Sequence, residues 1–255
     1  MRDVGREPDR SADPVLVPPE VARAAAAHGL GAPVLTHRSG PDRVWLPLWG
    51  GFLFGVITIV LAVGPSTVWT PAGPATAGCA GLLLTHAIQL LSVAGTGLYL
   101  FDHGVVHRKG GAVTAFPWRD TRLWRSVVRD RFVKHPYRYR LQRPGAPPVV
   151  LSPALDLHEF GPEMERRLTA ERTPVDLAAV AAGRRVGYGP FTVDRHGLTT
   201  PKGFIPWARV RGAEVGRRGR VRVWQAGARR PVRVRGRTVP NVVVFLAVVD
   251  AMRRA

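Results

Sequence analysis

Residues 98–126, LYLFDHGVVHRKGGAVTAFPWRDTRLWRS, and residues 191–215, FTVDRHGLTTPKGFIPWARVRGAEV, share one layout. Each has an alternating apolar run, then Asp and a His-Gly pair, then a second short run and a glycine turn. Each ends on an apolar residue before Pro-Trp, at Pro117-Trp118 and at Pro206-Trp207, with a further run after it. Such self-similarity marks a repeated unit. Alternation at Leu98, Leu100 and Val105 predicts strands with one buried face. Gly104 and Gly197, each after a histidine, predict tight hairpin turns at positive φ. Gly110-Gly111 and Lys202-Gly203 mark the next turns, and Trp118 and Trp207 are the expected anchors of small cores.

Working outward, more strands are expected at YRYRLQR and PVVLS in the first unit and at RVRVWQ and RPVRVR in the second. Each unit then closes with a helix. In the first unit it is expected at about Leu157–Glu171, with a second short helix at Val175–Ala182. The last is Asn241–Arg254, where Val242, Phe245, Leu246 and Val249 share a face. Asn241, after Pro240, reads as its N-cap, and Arg253 and Arg254 suit the negative end of the helix dipole.

Upstream lies a block of different character. From Val44 to Phe101 there is no Asp, Glu, Lys or Arg, in a chain of formal net charge +19. A bilayer core needs about 20 apolar residues of helix. Pro65, Pro71, Gly73 and Pro74 divide the block into two expected spans, near Val44–Gly64 and Gly78–Leu98, with Trp45, Trp49 and Trp69 at headgroup depth. Basic residues flank the pair and none lies between, so the positive-inside rule predicts an inner-membrane protein with both termini cytoplasmic. Gly51, Gly55 and Thr58 on the first span, and Thr85, Gln89 and Ser92 on the second, form small or polar helix-packing stripes. His86 beside them reads as a neutral histidine bonded to a neighbouring Gln or Thr. The single cysteine, Cys79, excludes an intrachain disulfide and a cysteine-based zinc site.

Several meandering strands closed by one amphipathic helix describe a pleckstrin-homology-like (PH-like) barrel. Through HGLGAPVLTHR, LYLFDHGVV, AFPWRDT, GPFTVDRHGL, IPWARVRGAEV and PNVVVFLAVVDAMRR, the chain resembles a family of uncharacterised actinobacterial membrane proteins. The resemblance implies an α+β membrane protein: a transmembrane hairpin plus two PH-like β-barrel or sandwich domains. The expected division is a polar, partly disordered head at 1–43, briefly helical at Pro19–His28. The hairpin follows at 44–98, a first PH-like domain at 98–172, a helical linker at 173–184 and a second PH-like domain at 185–255.

The positive charge is almost all arginine, with lysine only at 109, 134 and 202. The expected lipid- or anion-binding residues are His107, Arg108 and Lys109 in the first hairpin, with Arg125, Arg131 and Lys134 in the next cluster. Arg217, Arg218, Arg220 and Arg222 form a third cluster. No phosphate-binding glycine loop, His-Glu-x-x-His helix or Gly-x-Ser-x-Gly elbow is present, so no enzyme, metal or cofactor is expected. Asp102 beside His103 and Asp194 near His196 recur at matching turns, which argues for structural hydrogen bonds there. The expected function is a non-enzymatic scaffold or sensor for a protein partner or an anionic lipid, with homo-oligomerisation possible. The competing class is nucleic-acid binding, because HPYRYRLQR and RVRVWQ interleave aromatics with arginine. Strand alternation with Tyr and Trp inside and Arg outside gives the same pattern.

Overall fold

The computed structural model describes residues 16–38, 96–127, 137–151, 157–216 and 218–255. Helix α1 (Pro19–Ala27) leads into a four-stranded sheet of β1 (Pro33–Arg38), β2 (Thr96–Phe101), β3 (Gly104–Lys109) and β4 (Ala112–Pro117). A three-stranded sheet of β5 (Arg122–Val127), β6 (Tyr137–Gln142) and β7 (Val149–Leu151) follows, and then helix α2 (Phe160–Ala181). The same order then recurs. Strands β8 (Val186–Tyr188), β9 (Phe191–Val193), β10 (Gly197–Thr200) and β11 (Gly203–Pro206) form a four-stranded sheet. Strands β12 (Val210–Val215), β13 (Arg220–Gln225) and β14 (Val232–Arg235) form a three-stranded one, and α3 (Val242–Arg254) closes the chain. All paired strands are antiparallel and consecutive in the order of elements.

The two halves match at the level of register. Gly104 lies opposite Pro117, and Gly197 lies opposite Pro206. The Trp118 amide donates to the His103 carbonyl at 2.9 Å, and the Trp207 amide donates to the His196 carbonyl at 3.3 Å. The glycines serve a purpose other than the expected one, since neither has positive φ. A Cβ at Gly104 would stand 2.7 Å from the Phe116 carbonyl oxygen, and one at Gly197 would stand 2.3 Å from that of Ile205. Close backbone approach is what excludes a side chain there. The positive-φ turns fall at Gly110-Gly111 and Gly203.

One apolar cluster runs through both halves. It includes Leu98, Phe116, Trp118 and Met164 from the first, with Phe191, Val223 and Phe245 from the second. The Phe191 and Phe245 rings stack with centroids 4.7 Å apart. A second cluster lies on the far side of the first sheet, where Val21 and Ala25 of α1 meet Tyr99, Phe101 and Val106. Strand β2 is therefore buried at every position, on both faces, where alternation had predicted one buried face. Residues 33–38 of the expected polar head are sheet.

The membrane-protein fold class, its transmembrane helices and the inner-membrane placement with cytoplasmic termini are corrected by the described structure. It is an α+β fold of four small sheets and three α-helices, and none of these helices is long and apolar enough to cross a membrane. The reason is physical. Helix α3 is apolar but has only 13 residues, and α2 has 22 but carries Glu163, Glu165, Arg166 and Arg167 in its first two turns. The expected end of the second span, Leu98, is in β2. The rest of both spans, with Gly51, Gly55, Thr58, Thr85, Gln89 and Ser92, lies outside the described residues.

Candidate functional site

The basic residues singled out in the first half do not share one surface. His107 is half-buried in β3, where desolvation first and Lys109 second lower its pKa to about 4. It is neutral at physiological pH. The Arg108 guanidinium lies 3.0 Å from the Glu20 carboxylate of α1, and Lys109 is exposed at the turn. Arg125 points inward and donates to both carboxylate oxygens of Glu165 on α2, at 3.0 and 2.9 Å. Its guanidinium also lies 4.7 Å from the centre of the Tyr137 ring. Burial raises the Glu165 pKa, with Arg125 opposing, so this pair is a strut between sheet and helix. Arg131 and Lys134 lie outside the described residues.

The second turn has the hairpin hydrogen bonds that recurrence suggested, whereas the aspartate of the first turn bonds outside its hairpin. The Asp194 carboxylate accepts from the His196 and Gly197 amides at 2.8 and 3.0 Å. Asp102 reaches further. It accepts from the Ala32 amide at 3.0 Å and from Arg167 of α2 at 2.7 Å, tying the segment before β1 to the helix. The Ala32 hydrogen bond first, and then Arg167, hold the Asp102 carboxyl below its usual range. His103 Nδ1 meets Glu171 of the same helix at 2.9 Å. Among the described residues no group of three or more His, Cys, Asp or Glu side chains is placed to hold a metal ion.

A basic face does exist, on the outside of the second three-stranded sheet. Val221, Val223 and Val232 point inward, so Arg220, Arg222 and Trp224 of β13 point out together with Arg233 and Arg235 of β14. Trp224 is 40% exposed, which reverses the expectation of Trp inside and Arg outside. Arg220 is paired across the ladder with Arg235, and Arg222 with Arg233. Like charges directly opposite one another destabilise a sheet. The partial remedy is Glu214, the cross-strand neighbour of Arg222 on β12, whose carboxylate is 3.4 Å from that guanidinium. Sequence reasoning listed Arg220 and Arg222 but missed Arg233, Arg235 and Trp224. Strand alternation through RVRVWQ and PVRVR held the signal. The matching face of the first half is milder: Arg140 lies over Trp124, 5.4 Å from its ring centre, beside Val150.

A cleft of about 230 Å³ opens between the halves. Arg122 of β5, Arg172 of α2 and Arg185 just before β8 line it, with Asp120, Tyr188 and Asn241. Arg172 donates to the Arg119 carbonyl and, at 3.3 Å, to the Asp176 carboxylate. Asp176 also accepts from the Tyr188 hydroxyl at 2.7 Å.

Residues 16–255 match the model of a family described as a family of unknown function, DUF6585. The chain belongs to the DUF6585 family. The match covers both halves and α1. It carries neither the actinobacterial source nor the membrane hairpin that the resemblance implied. No curated protein and no solved structure matches this DUF6585 chain.

Proposed function

We propose that this protein is a non-enzymatic binding module that docks an acidic protein partner on the arginine–tryptophan face of β12–β14. The observation that carries the reading is the cross-strand register of arginine opposite arginine, Arg220 with Arg235 and Arg222 with Arg233, around an exposed Trp224. A sheet gains nothing from such pairs, and Glu214 offsets only Arg222, so a local rule broken with partial internal compensation points to an external partner. Arginine and tryptophan are also the residues that dominate binding energy at protein interfaces. The net charge of +19 would speed encounter with an acidic surface.

Single-stranded nucleic acid is the second reading, favoured by one specific observation. Trp224 shares its face with four arginines, an arrangement that would serve base stacking and phosphate contact together. Fluorescence anisotropy titrations with labelled poly-L-glutamate and labelled single-stranded RNA, at matched ionic strength, would separate the two. Vesicles of anionic lipid serve as the third arm, for the lipid-headgroup alternative. The acidic-protein reading expects tight poly-L-glutamate binding that drops at least tenfold in an Arg220→Gln/Arg235→Gln variant. The same variant is expected to be more stable by about 0.2–1 kcal/mol, as a like-charge pair is removed. Binding of poly-L-glutamate that is absent, or equal in both proteins, would discard the assignment. Preferential binding of RNA would transfer it to the second reading.

A further inference from the structure

The cleft between the halves has a chemistry that the sheet face does not share. Its cationic side chains come from three separate elements: Arg122 from the first half, Arg172 from the helix, and Arg185 from the start of the second half. Arg122 has no carboxylate within 4.0 Å among the described residues, and Arg185 only reaches Asp194 at that limit. Asp120 is the one acidic side chain at the wall, and its carboxylate lies 3.7 Å from the Arg119 guanidinium. Arg172 is held in place at the wall by Asp176 and the Arg119 carbonyl. The start of α3 lies at the same rim. Its N-cap residue, Asn241, turns its side chain away from the helix, leaving the first turn with no side-chain cap.

From this geometry we infer that the cleft binds a phosphate monoester group, held between Arg122, Arg172 and Arg185. Guanidinium groups match the paired oxygens of such a group, and two of the three here lack a close partner. A cleft of about 230 Å³ has room for a phosphate and a small organic substituent. Because its wall is drawn from both halves, an occupied cleft would fasten one half to the other. The ligand would thus raise the stability of the whole chain by mass action. The inference is independent of the sheet face, which lies on different strands.

Thermal unfolding of the full chain in inorganic phosphate and in glycerol 3-phosphate, with chloride matching the ionic strength, tests the idea. Vesicles carrying phosphatidic acid distinguish a lipid-borne phosphate from a free one. The expected result is a saturable rise in Tm with glycerol 3-phosphate that Arg122→Gln and Arg185→Gln each reduce and the double variant abolishes. Both side chains are exposed, so these variants keep the fold. An Arg220→Gln/Arg235→Gln variant should keep the full shift, which separates this site from the sheet face. No shift with any probe, or an equal shift in the wild type and the Arg122→Gln/Arg185→Gln double variant, would overturn the assignment. Titration of glycerol 3-phosphate by calorimetry must give the same ranking of variants.

Discussion

Asn241 shows how one side chain can join two repeats. Sequence logic made it the N-cap of the last helix, and the helix does begin at the next residue. Its side chain caps nothing there. The side-chain oxygen accepts from the Leu123 amide at 2.7 Å, and the Asn241 amide donates to the Leu123 carbonyl at 2.7 Å. The side-chain amide donates to the Thr121 carbonyl at 3.4 Å. A buried asparagine thus acts as a strand residue for β5, more than a hundred positions away, and adopts φ 50 to do so. Asparagine is among the few residues that tolerate this conformation. Replacing it by Ala is expected to cost about 2–4 kcal/mol in urea unfolding, since buried backbone groups lose their partners. Asn241→Gly should cost about 1 kcal/mol less, because the left-handed backbone is then unstrained. An equal or greater loss in the glycine variant would show that φ is immaterial.

Charge at single residues also sets the acid limit of the fold. Arg166 first, and then Arg167, hold the Glu163 carboxyl down at about 2. A depressed carboxylate pKa gives stability that is complete above the unfolded value of 4.5 and is lost as pH falls toward about 2. Tm should therefore decline across that window, and Asp102 should steepen the decline in its own range, being depressed in the same direction. Glu163→Gln is expected to flatten the acid limb by about 1–2 kcal/mol after solvent screening is allowed for. Parallel Tm–pH curves for the two proteins would exclude Glu163 as a source.

At the scale of elements, the sharpest difference between expectation and structure is α2. Two helices were expected, at about 157–171 and at 175–182, whereas a single helix runs Phe160–Ala181 with Pro174 inside it. Tertiary contact outweighs the local penalty. Phe160, Met164 and Leu168 anchor the first part in the common core, and Val180 and Asp176 are buried in the second. Asp176 meets Tyr188 of β8, so the helix is held on both sides of the proline. A proline in a helix interior removes one backbone hydrogen bond and costs about 3 kcal/mol. Pro174 is exposed and its neighbours are already helical. Pro174→Ala should therefore stabilise the protein by about 1–3 kcal/mol, read from the urea midpoint. A destabilised variant would mean that the proline shapes the contact between α2 and the second half.

For the whole molecule, the part most legible in the sequence was the duplication. The His-Gly and Pro-Trp pairs that recur in the chain lie opposite one another in the sheets, Gly104 with Pro117 and Gly197 with Pro206. Period-2 alternation also placed β6, β13 and β14. Less legible were the features that depend on a distant partner. Nothing local in TGLYLF states that α1 will cover its second face, and nothing local in RVRVWQ states that arginine will face arginine. The same limit affected the uncharged block, whose composition was legible and whose place in the topology was not. In the second half, β8 and β9 are joined directly through Gly189 and Pro190, and Tyr188 pairs with Phe191. In the first half, the corresponding neighbours β1 and β2 pair just as closely, with Arg38 opposite Gly97, although residues 39–95 lie between them in the chain. The block is thus inserted where the sister repeat has a two-residue turn. A chain in which residues 39–95 are replaced by Gly-Pro should keep the described fold, because both flanking strands already end side by side. Its cooperative unfolding should match that of the parent within a few degrees of Tm. A replaced chain that fails to unfold cooperatively would show that the block supplies contacts on which the two sheets of the first half depend.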